Sequence, residues 1–440
     1  MKKDRDALDL QDRPASDAAY AMRGRQGRAA LVAFIFTLVT LQGLTINLMP
    51  LLFGTVARTF EDVNLRQQGQ LQTFFLAGGI VALFVSGYVT ETIRAKRSGT
   101  LAVILIGVGS LLLGLAKTYA HVLLAASVMG LGAMWVLSAY SAVITAHFAD
   151  MRQRMFMWAT AAFAGSATLG SSLFGYLLEM VPNWQVIFLV FAGVVWVGYG
   201  AFSLLAGRRL RILGQPALSE DPASPSESDG IATRLGNALK FLASGLLNRG
   251  VFWLLGLLVV LDMFAAGNIV AWTARFFQIT YHVGDDQVGF MLSASAAGVF
   301  VGRLLMGAFV SGRFTDRTVL GTCYAAGILM YVLILLIPSY RAGVVLVFLN
   351  GAFIAAQAPT MYAIASARFG DRAATAIPLM DAIGVLGGFM GPAAVGALAD
   401  RHGLHAVLWL IPVVGFTLVL IVFAWHAVDR REAHDASVAA

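Results

Sequence analysis

The chain consists of twelve apolar segments, each about as long as a helix that crosses a bilayer. A hydrocarbon core of roughly 30 Å needs about 20 helical residues. The pattern therefore predicts an all-α membrane protein with twelve transmembrane helices. The segments lie at approximately 29–54, 69–92, 98–117, 121–148, 153–180, 184–206, 250–279, 286–311, 318–338, 342–366, 373–399 and 404–428.

The composition excludes an ordinary soluble enzyme. Only 12% of the residues are charged and 58% are hydrophobic, whereas soluble domains are about 25% charged. The single cysteine, Cys323, excludes a disulfide framework or a cysteine zinc site. The phosphate loop GxxxxGK[ST], the zinc pair HExxH and the protease motif GxGD do not occur. We expect no enzymatic activity, no metal and no cofactor.

The basic residues predict the orientation of the chain. If residues 1–28 lie in the cytoplasm, most of the 31 lysines and arginines fall on the cytoplasmic side, as inner-membrane proteins require. The tail 429–440 is then cytoplasmic as well. The basic residues therefore mark one side of a bilayer and not a nucleic-acid surface. We expect a multi-pass, monomeric inner-membrane protein.

The two halves of the chain repeat each other. Ala146–Glu179 aligns without gaps on Ala367–Asp400, and Glu179 then matches Asp400. This indicates two pseudo-symmetric six-helix bundles, at 29–206 and 250–428, joined by a polar cytoplasmic linker at 207–249. Parallel six-helix repeats are a transporter architecture.

One loop carries a family resemblance. The stretch from Gly87 through Glu91 and Arg94 to Arg97 resembles the loop G-x-x-x-D-R-x-G-R-[KR] of the major facilitator superfamily, and the stretch from Gly391 to Arg401 is similar to the end of its eleventh helix. The resemblance implies alternating access, with helix-end residues that lock or release one face. The candidates for this gating are Gly87, Glu91, Arg94, Asp150, Asp371 and Asp400.

Within the superfamily, two stretches are most similar to the fucose/glucose–proton symporter group. They are Gln72–Gly79 and Asn268-x-x-x-Trp272, where the group often has an acid in place of the asparagine. The resemblance implies a small polar, sugar-like solute, with protons as the second partner. It also implies that segments 1, 4, 7 and 10 line the central cavity.

Amide and aromatic side chains on these segments are the candidates for binding such a solute. Amides donate and accept hydrogen bonds, and aromatic rings stack on the C–H face of a sugar. The alternative is that they only join neighbouring helices. The candidates are Gln42, Asn47, Trp135, Tyr140, Asn268, Trp272 and Gln357.

Two acidic residues are candidates for proton coupling. Asp262 lies near the middle of the seventh segment, and Asp381 lies in the eleventh. A carboxyl group in the hydrocarbon region is tolerated when it is protonated or paired. A group that loads and releases a proton as its exposure alternates would couple transport to protons. The alternative is a structural ion pair.

Arg303, in the eighth segment, supports a second hypothesis. In the monocarboxylate and oxalate–formate transporters, which this stretch resembles, an arginine at the same spacing before the loop glycine Gly307 binds the substrate carboxylate. A guanidinium is permanently charged and grips a carboxylate with two hydrogen bonds. The alternative function is therefore an organic-anion transporter or exchanger. A Gly-Arg pair at this place also occurs in sugar-transporting relatives, and the other role for Arg303 is an ion pair with a loop acid. We expect Arg275, near the outer end of the seventh segment, to reach the membrane interface.

Overall fold

The computed structural model describes residues 15–60, 63–93, 95–148, 151–211, 250–306, 313–369 and 373–439. Within these ranges the regular elements are helices, and no strand occurs. They are α1 (Ala15–Ile46), α2 (Leu48–Thr59), α3 (Leu65–Ile93), α4 (Ala95–Gly114), α5 (Tyr119–His147), α6 (Arg152–Met180), α7 (Trp184–Arg211), α8 (Gly250–Tyr281), α9 (Asp285–Leu305), α10 (Asp316–Leu336), α11 (Tyr340–Ile354), α12 (Gln357–Phe369), α13 (Ala373–His402), α14 (Leu404–Leu408) and α15 (Leu410–Ala439).

The predicted number of membrane spans is confirmed. In the part of the chain that the structure describes, twelve helical stretches are long and apolar enough to cross a bilayer. Nine are single helices, and the other three each consist of two consecutive helices, namely α1 with α2, α11 with α12, and α14 with α15. Most of the predicted linker, residues 212–249, lies outside the described residues.

Prolines account for the three interrupted spans. The breaks follow Ile46, Ile354 and Leu408, and Pro50, Pro359 and Pro412 lie shortly after them. Proline has no N–H to donate to the carbonyl four residues earlier, and its ring crowds that carbonyl. The first break is at Asn47, whose φ of −98° and ψ of 5° are not those of an α-helix.

The hydrophobic core shows how the two halves meet. One large cluster contains buried residues of both halves, such as Phe53 and Trp272, and it lies at the face where α2 ends and α3 begins, which we call the outer face. Two further clusters each belong to one half, around Phe34 in the first and Phe252 in the second. Both lie toward the face where α1 begins, which we call the terminal face. The halves are therefore joined at the outer face and separate toward the terminal face.

Glycines permit the close contact between the halves at the outer face. A methyl group on Gly175 of α6 would lie 2.7 Å from the Cα of Gly289 on α9. A methyl group on Gly69 of α3 would overlap the Pro392 carbonyl oxygen of α13. Only glycine allows these backbones to touch, as in other helix pairs inside membranes. In contrast, Gly165, nearer the terminal face on α6, has no neighbour within 4 Å of that position.

Candidate functional site

A cavity of about 550 Å³ lies between the two halves. Met157, Thr160 and Ala161 of α6 form its wall in the first half, and α9, α10 and α12 form its wall in the second half. The cavity extends to Phe314 and Asp316 at the terminal face. Its volume falls in the range of small-molecule sites, about 300–1,000 Å³.

Arg303 is the basic residue among the described residues that line this cavity. It lies two residues before the end of α9, toward the terminal face, and its side chain is exposed. The phenols of Tyr140 and Tyr362 lie within electrostatic range of its guanidinium. Within the described part of the chain, no carboxylate forms an ion pair with Arg303. The cavity therefore contains a guanidinium that is available to an anion.

Asp381 is linked to the surroundings of Arg303 through a tyrosine. The hydroxyl of Tyr362 lies 2.8 Å from both carboxylate oxygens of Asp381 and donates to them. Tyr362 itself lines the large cavity. Tyr362 of α12 is therefore hydrogen-bonded to Asp381 of α13 and lies within electrostatic range of Arg303 of α9.

Asp262, the other predicted proton carrier, lies elsewhere. It is 6% exposed and lies beside Tyr324 of α10, whose hydroxyl donates to the Met361 sulfur at 3.7 Å. It lines a separate cavity of about 30 Å³ inside the second half. The large and small cavities have no lining residue in common. Asp381 is therefore hydrogen-bonded to a tyrosine that lines the large cavity, whereas Asp262 reaches that tyrosine only at electrostatic range.

Several of the predicted sugar-binding side chains bond within their own half. The amide of Asn47 donates to the Ser171 hydroxyl at 3.1 Å, and the indole N–H of Trp135 donates to the Ser98 hydroxyl at 2.9 Å. The indole N–H of Trp272 donates to the Pro392 carbonyl at 3.2 Å. These bonds correspond to the alternative reading of such residues, in which they join neighbouring helices.

The other predicted amides are also buried. Asn268 is fully buried and donates to the Phe264 carbonyl at 2.8 Å, while its own carbonyl oxygen has no partner. Gln42 is buried on α1, and Gln357 is buried at the start of α12, where it lines the small cavity. Of all the predicted substrate-binding residues, Arg303 is the one that lines the large cavity in the described part of the chain.

The predicted gating residues are only partly described. The side chain of Glu91 and the whole of Arg94, Asp150 and Asp371 lie outside the described residues. Gly87 is exposed. Asp400 accepts hydrogen bonds from the backbone N–H groups of Leu65, at 2.8 Å, and Arg66, at 3.0 Å. It therefore caps the start of α3 in the other half at the outer face.

A polar network that the sequence did not predict closes the outer face. Asp285, the first residue of α9, is 2% exposed and forms an ion pair with Arg58 of α2. The Thr55 hydroxyl and the Gln278 amide also donate to this carboxylate, at 3.1 and 2.6 Å. The clue in the sequence was a pair of acids directly after Gly284, a position typical of a helix start.

Arg275 belongs to the same network, so the expectation that it reaches the membrane interface was wrong. Its Nε donates to Gln68 of α3 at 2.8 Å, and another of its nitrogens donates to Gln278 at 2.7 Å. The bond to Gln68 crosses from the second half to the first. The acceptors of this guanidinium are two amide oxygens of the protein, one in each half.

The described residues contain no group of three His, Cys, Asp or Glu side chains that would hold a metal ion. What the arrangement provides is a cavity between two halves that is sealed at the outer face and reaches the terminal face. A solute in that cavity would cross the molecule if the seal moved from one face to the other. This is the geometry that alternating access requires.

The fold is shared with transporters of known structure. A bacterial homologue of the human lysosomal transporter Spinster, in an inward-facing and occupied conformation, has a TM-score of 0.64 and 16% identity, over 90% of this chain and 96% of that one. A D-xylose–proton symporter has a TM-score of 0.66 and 13% identity over the same shares. No curated protein sequence matches. The family model described as Major Facilitator Superfamily matches residues 30–285 and 252–439, and the chain therefore belongs to the major facilitator superfamily of membrane transporters.

Proposed function

We propose that this transporter carries a small organic anion, such as a monocarboxylate, and binds it through Arg303. The observation that carries the proposal is a guanidinium exposed to the cavity between the halves, with no carboxylate partner in the described part of the chain. An unpaired cation within a membrane span is costly and is retained where it has a function. A substrate carboxylate would neutralise it.

The surroundings of Arg303 suit a carboxylate. A guanidinium presents parallel N–H donors that match the two oxygens of a carboxylate. The Tyr140 hydroxyl lies within electrostatic range of the same guanidinium and offers a further donor, whereas the single O–H of Tyr362 is directed to Asp381. The rest of the wall, including Ala161 and Leu304, is largely apolar and suits a short hydrocarbon chain.

Coupling to protons through Asp381 is part of the proposal. Tyr362 donates a hydrogen bond to Asp381 and lies within electrostatic range of Arg303. Only Tyr362 therefore separates the carboxyl group from the proposed anion site, and the charge of a bound anion would favour protonation of Asp381. Protonation of Asp381 would neutralise a carboxylate in the hydrocarbon region. An anion and a proton would then cross together without net charge.

A sugar-like solute is the competing hypothesis. The sugar hypothesis depends on amide and indole side chains that face the cavity. Asn47, Trp135 and Trp272 do not line the large cavity, and each donates its hydrogen bond to a neighbouring helix instead. The D-xylose–proton symporter shares the fold at 13% identity, which is why sugars belong in the same screen. We further propose, from the basic residues, that both termini are cytoplasmic, so that the cavity of this structure reaches the cytoplasm.

Uptake into proteoliposomes tests the substrate class. Labelled monocarboxylates, dicarboxylates and pentoses would be compared under an imposed proton gradient. We expect wild-type protein to take up carboxylates and Arg303→Gln to abolish this uptake. Arg303→Lys should lower uptake about tenfold, because lysine keeps the positive charge but lacks the two parallel N–H donors of a guanidinium. Arg341→Gln, at an exposed arginine of α11, is the control and should transport normally. Pentose uptake that survives Arg303→Gln would overturn the proposal.

A further inference from the structure

Arg275 is a second guanidinium that forms no ion pair with a carboxylate in the described part of the chain. It lies six residues before the end of α8, inside a membrane span. Its Nε donates to the side-chain oxygen of Gln68 at 2.8 Å, and its Nη1 donates to that of Gln278 at 2.7 Å. Both acceptors are neutral amides, so they satisfy two of its N–H groups but leave its charge unbalanced.

The network around Arg275 carries more positive than negative charge. Arg58 and Asp285 both lie within electrostatic range of Arg275, and Asp285 forms its ion pair with Arg58. Two guanidiniums therefore share one carboxylate among the described side chains of this network, from which residues 61 and 62 are absent. Glu179 is exposed and accepts from the backbone N–H of Asp285. An unpaired charge within a membrane span is costly, which points to a function for Arg275.

Opening of the outer face would free one edge of this guanidinium. The bond to Gln68 of α3 crosses between the halves, whereas Gln278 lies on α8 itself. When the halves separate, Nε therefore loses its acceptor and Nη1 keeps its own. Nη2 has no hydrogen-bond partner within the described residues. Nε and Nη2 form one edge of a guanidinium, and their parallel N–H groups match the two oxygens of a carboxylate.

We infer that Arg275 binds the substrate carboxylate when the outer face is open, before the anion reaches Arg303. The inference rests on the proposed function, because it requires an anionic substrate. In the closed structure the side-chain oxygen of Gln68 occupies a position that a carboxylate oxygen would take. Gln68 and the anion therefore compete for the same N–H group. Closure of the outer face displaces the anion from Arg275 and leaves it to the cavity between the halves.

Thiol labelling measures how the outer face responds to carboxylates. The Ser172 hydroxyl donates to that of Ser293 at 2.7 Å between the two halves, so a cysteine introduced as Ser172→Cys becomes accessible when they part. Intact cells that contain this full-length parent protein would be labelled with a membrane-impermeant maleimide. External sodium acetate, lactate and succinate would each be compared with sodium chloride at equal ionic strength. We expect at least one carboxylate to accelerate labelling about threefold or more, because an anion that binds only the open state increases its population.

Variants of Arg275 and Gln68 separate anion binding from a structural hydrogen bond. Arg275→Gln should label faster in every salt, because the guanidinium bond to Gln68 is lost, and it should not respond to carboxylates. Arg275→Lys should keep a weaker response, since lysine keeps the charge without paired donors. Gln68→Glu supplies a carboxylate of the protein to the same N–H group, so it should label slowly and respond to no added carboxylate. Arg341→Gln, at an exposed arginine near the start of α11, is the control and should respond as the parent does.

The outcomes distinguish this site from the site at Arg303. A parent protein that responds to none of the carboxylates, or an Arg275→Gln protein that responds fully, would overturn the role of Arg275. Arg303→Gln should keep the acceleration, because Arg303 lies toward the terminal face. A response that is lost in Arg303→Gln and kept in Arg275→Gln would overturn this inference and leave the proposed function intact. A response that needs Arg275, together with carboxylate uptake that survives Arg303→Gln, would instead overturn only the role of Arg303.

Discussion

Glu179 and Asp400 perform the same task on the two sides of the molecule. Glu179, near the end of α6, accepts a hydrogen bond at 2.8 Å from the backbone N–H of Asp285, where α9 begins. Asp400, near the end of α13, accepts from the first two N–H groups of α3. The two acids occupy matching positions in the internal repeat. Each half therefore caps a helix of the other half, and both caps lie at the closed outer face.

Removing one of these charges should favour opening of the outer face. In Asp400→Asn, the carboxylate at the N-terminus of α3 is lost, and such contacts stabilise by about 0.5–2 kcal/mol. A cysteine introduced as Ser172→Cys, at the contact between Ser172 and Ser293 of the two halves, would report the opening. We expect thiol labelling from outside to accelerate several-fold in Asp400→Asn.

The labelling experiment has an internal control. Arg401→Gln changes the exposed neighbour of Asp400 and leaves the cap in place, so its labelling rate should equal that of the parent. If Asp400→Asn is labelled no faster than Arg401→Gln, the cap contributes nothing to the closed state. The native Cys323 is 2% exposed, so it should add little background.

The contact between Gly175 and Gly289 should be required for closure. In Gly175→Ala the added methyl lies 2.7 Å from the backbone of α9, so α6 and α9 must separate at the outer face. We expect transport to fall at least tenfold. The Thr73 hydroxyl of α3 donates to the Phe389 carbonyl of α13 at 2.9 Å, across the second contact between the halves, and a cysteine introduced as Thr73→Cys should label faster. Gly165→Ala, on the same helix and without a neighbour within 4 Å, should transport normally. Equal transport by the two variants would show that the interface adapts.

Arg58 and Asp285 should be energetically coupled. The Arg58 side chain is 57% exposed and that of Asp285 is 2% exposed, so solvent screens the pair on one side only. We expect a double-mutant cycle of Arg58→Gln and Asp285→Asn, read by thermal unfolding, to give a coupling free energy of about 0.5–1 kcal/mol. Asp285→Asn alone should destabilise more, because Thr55 and Gln278 also donate to this carboxylate. A coupling free energy of zero would show that this ion pair does not stabilise the closed outer face, which the other contacts between the halves would then hold.

Tyr362 should connect proton coupling to the anion site. In Tyr362→Phe the two 2.8 Å contacts with Asp381 are lost, while Arg303 is unchanged. We expect proton-driven accumulation of the substrate to fall about tenfold, and exchange of internal for external substrate without a gradient to persist. Tyr176→Phe, at a tyrosine that is 55% exposed, is the control. Loss of exchange together with accumulation would instead assign Tyr362 to substrate binding alone.

The sequence by itself determined the membrane spans, the repeat and the family. A membrane span is predicted from the mean hydropathy of about 20 residues, so one atypical residue does not change the prediction. The breaks in the helices could also be predicted from the sequence. Pro50, Pro359 and Pro412 each remove a hydrogen bond inside one helix, so their effect does not depend on neighbouring helices. The match of Glu179 with Asp400 was visible in the repeat, although the partners of these acids were not.

Only the tertiary structure decided which polar side chains share a space. The sequence does not show whether a buried amide or carboxylate faces a cavity or a neighbouring helix. The direction of the side chain depends on how each helix is rotated and packed. Packing placed Trp135 against Ser98 and Asp262 beside a separate small cavity. It left Arg303 facing the cavity between the halves. It also brought together Arg58 of the first half and Asp285 of the second half.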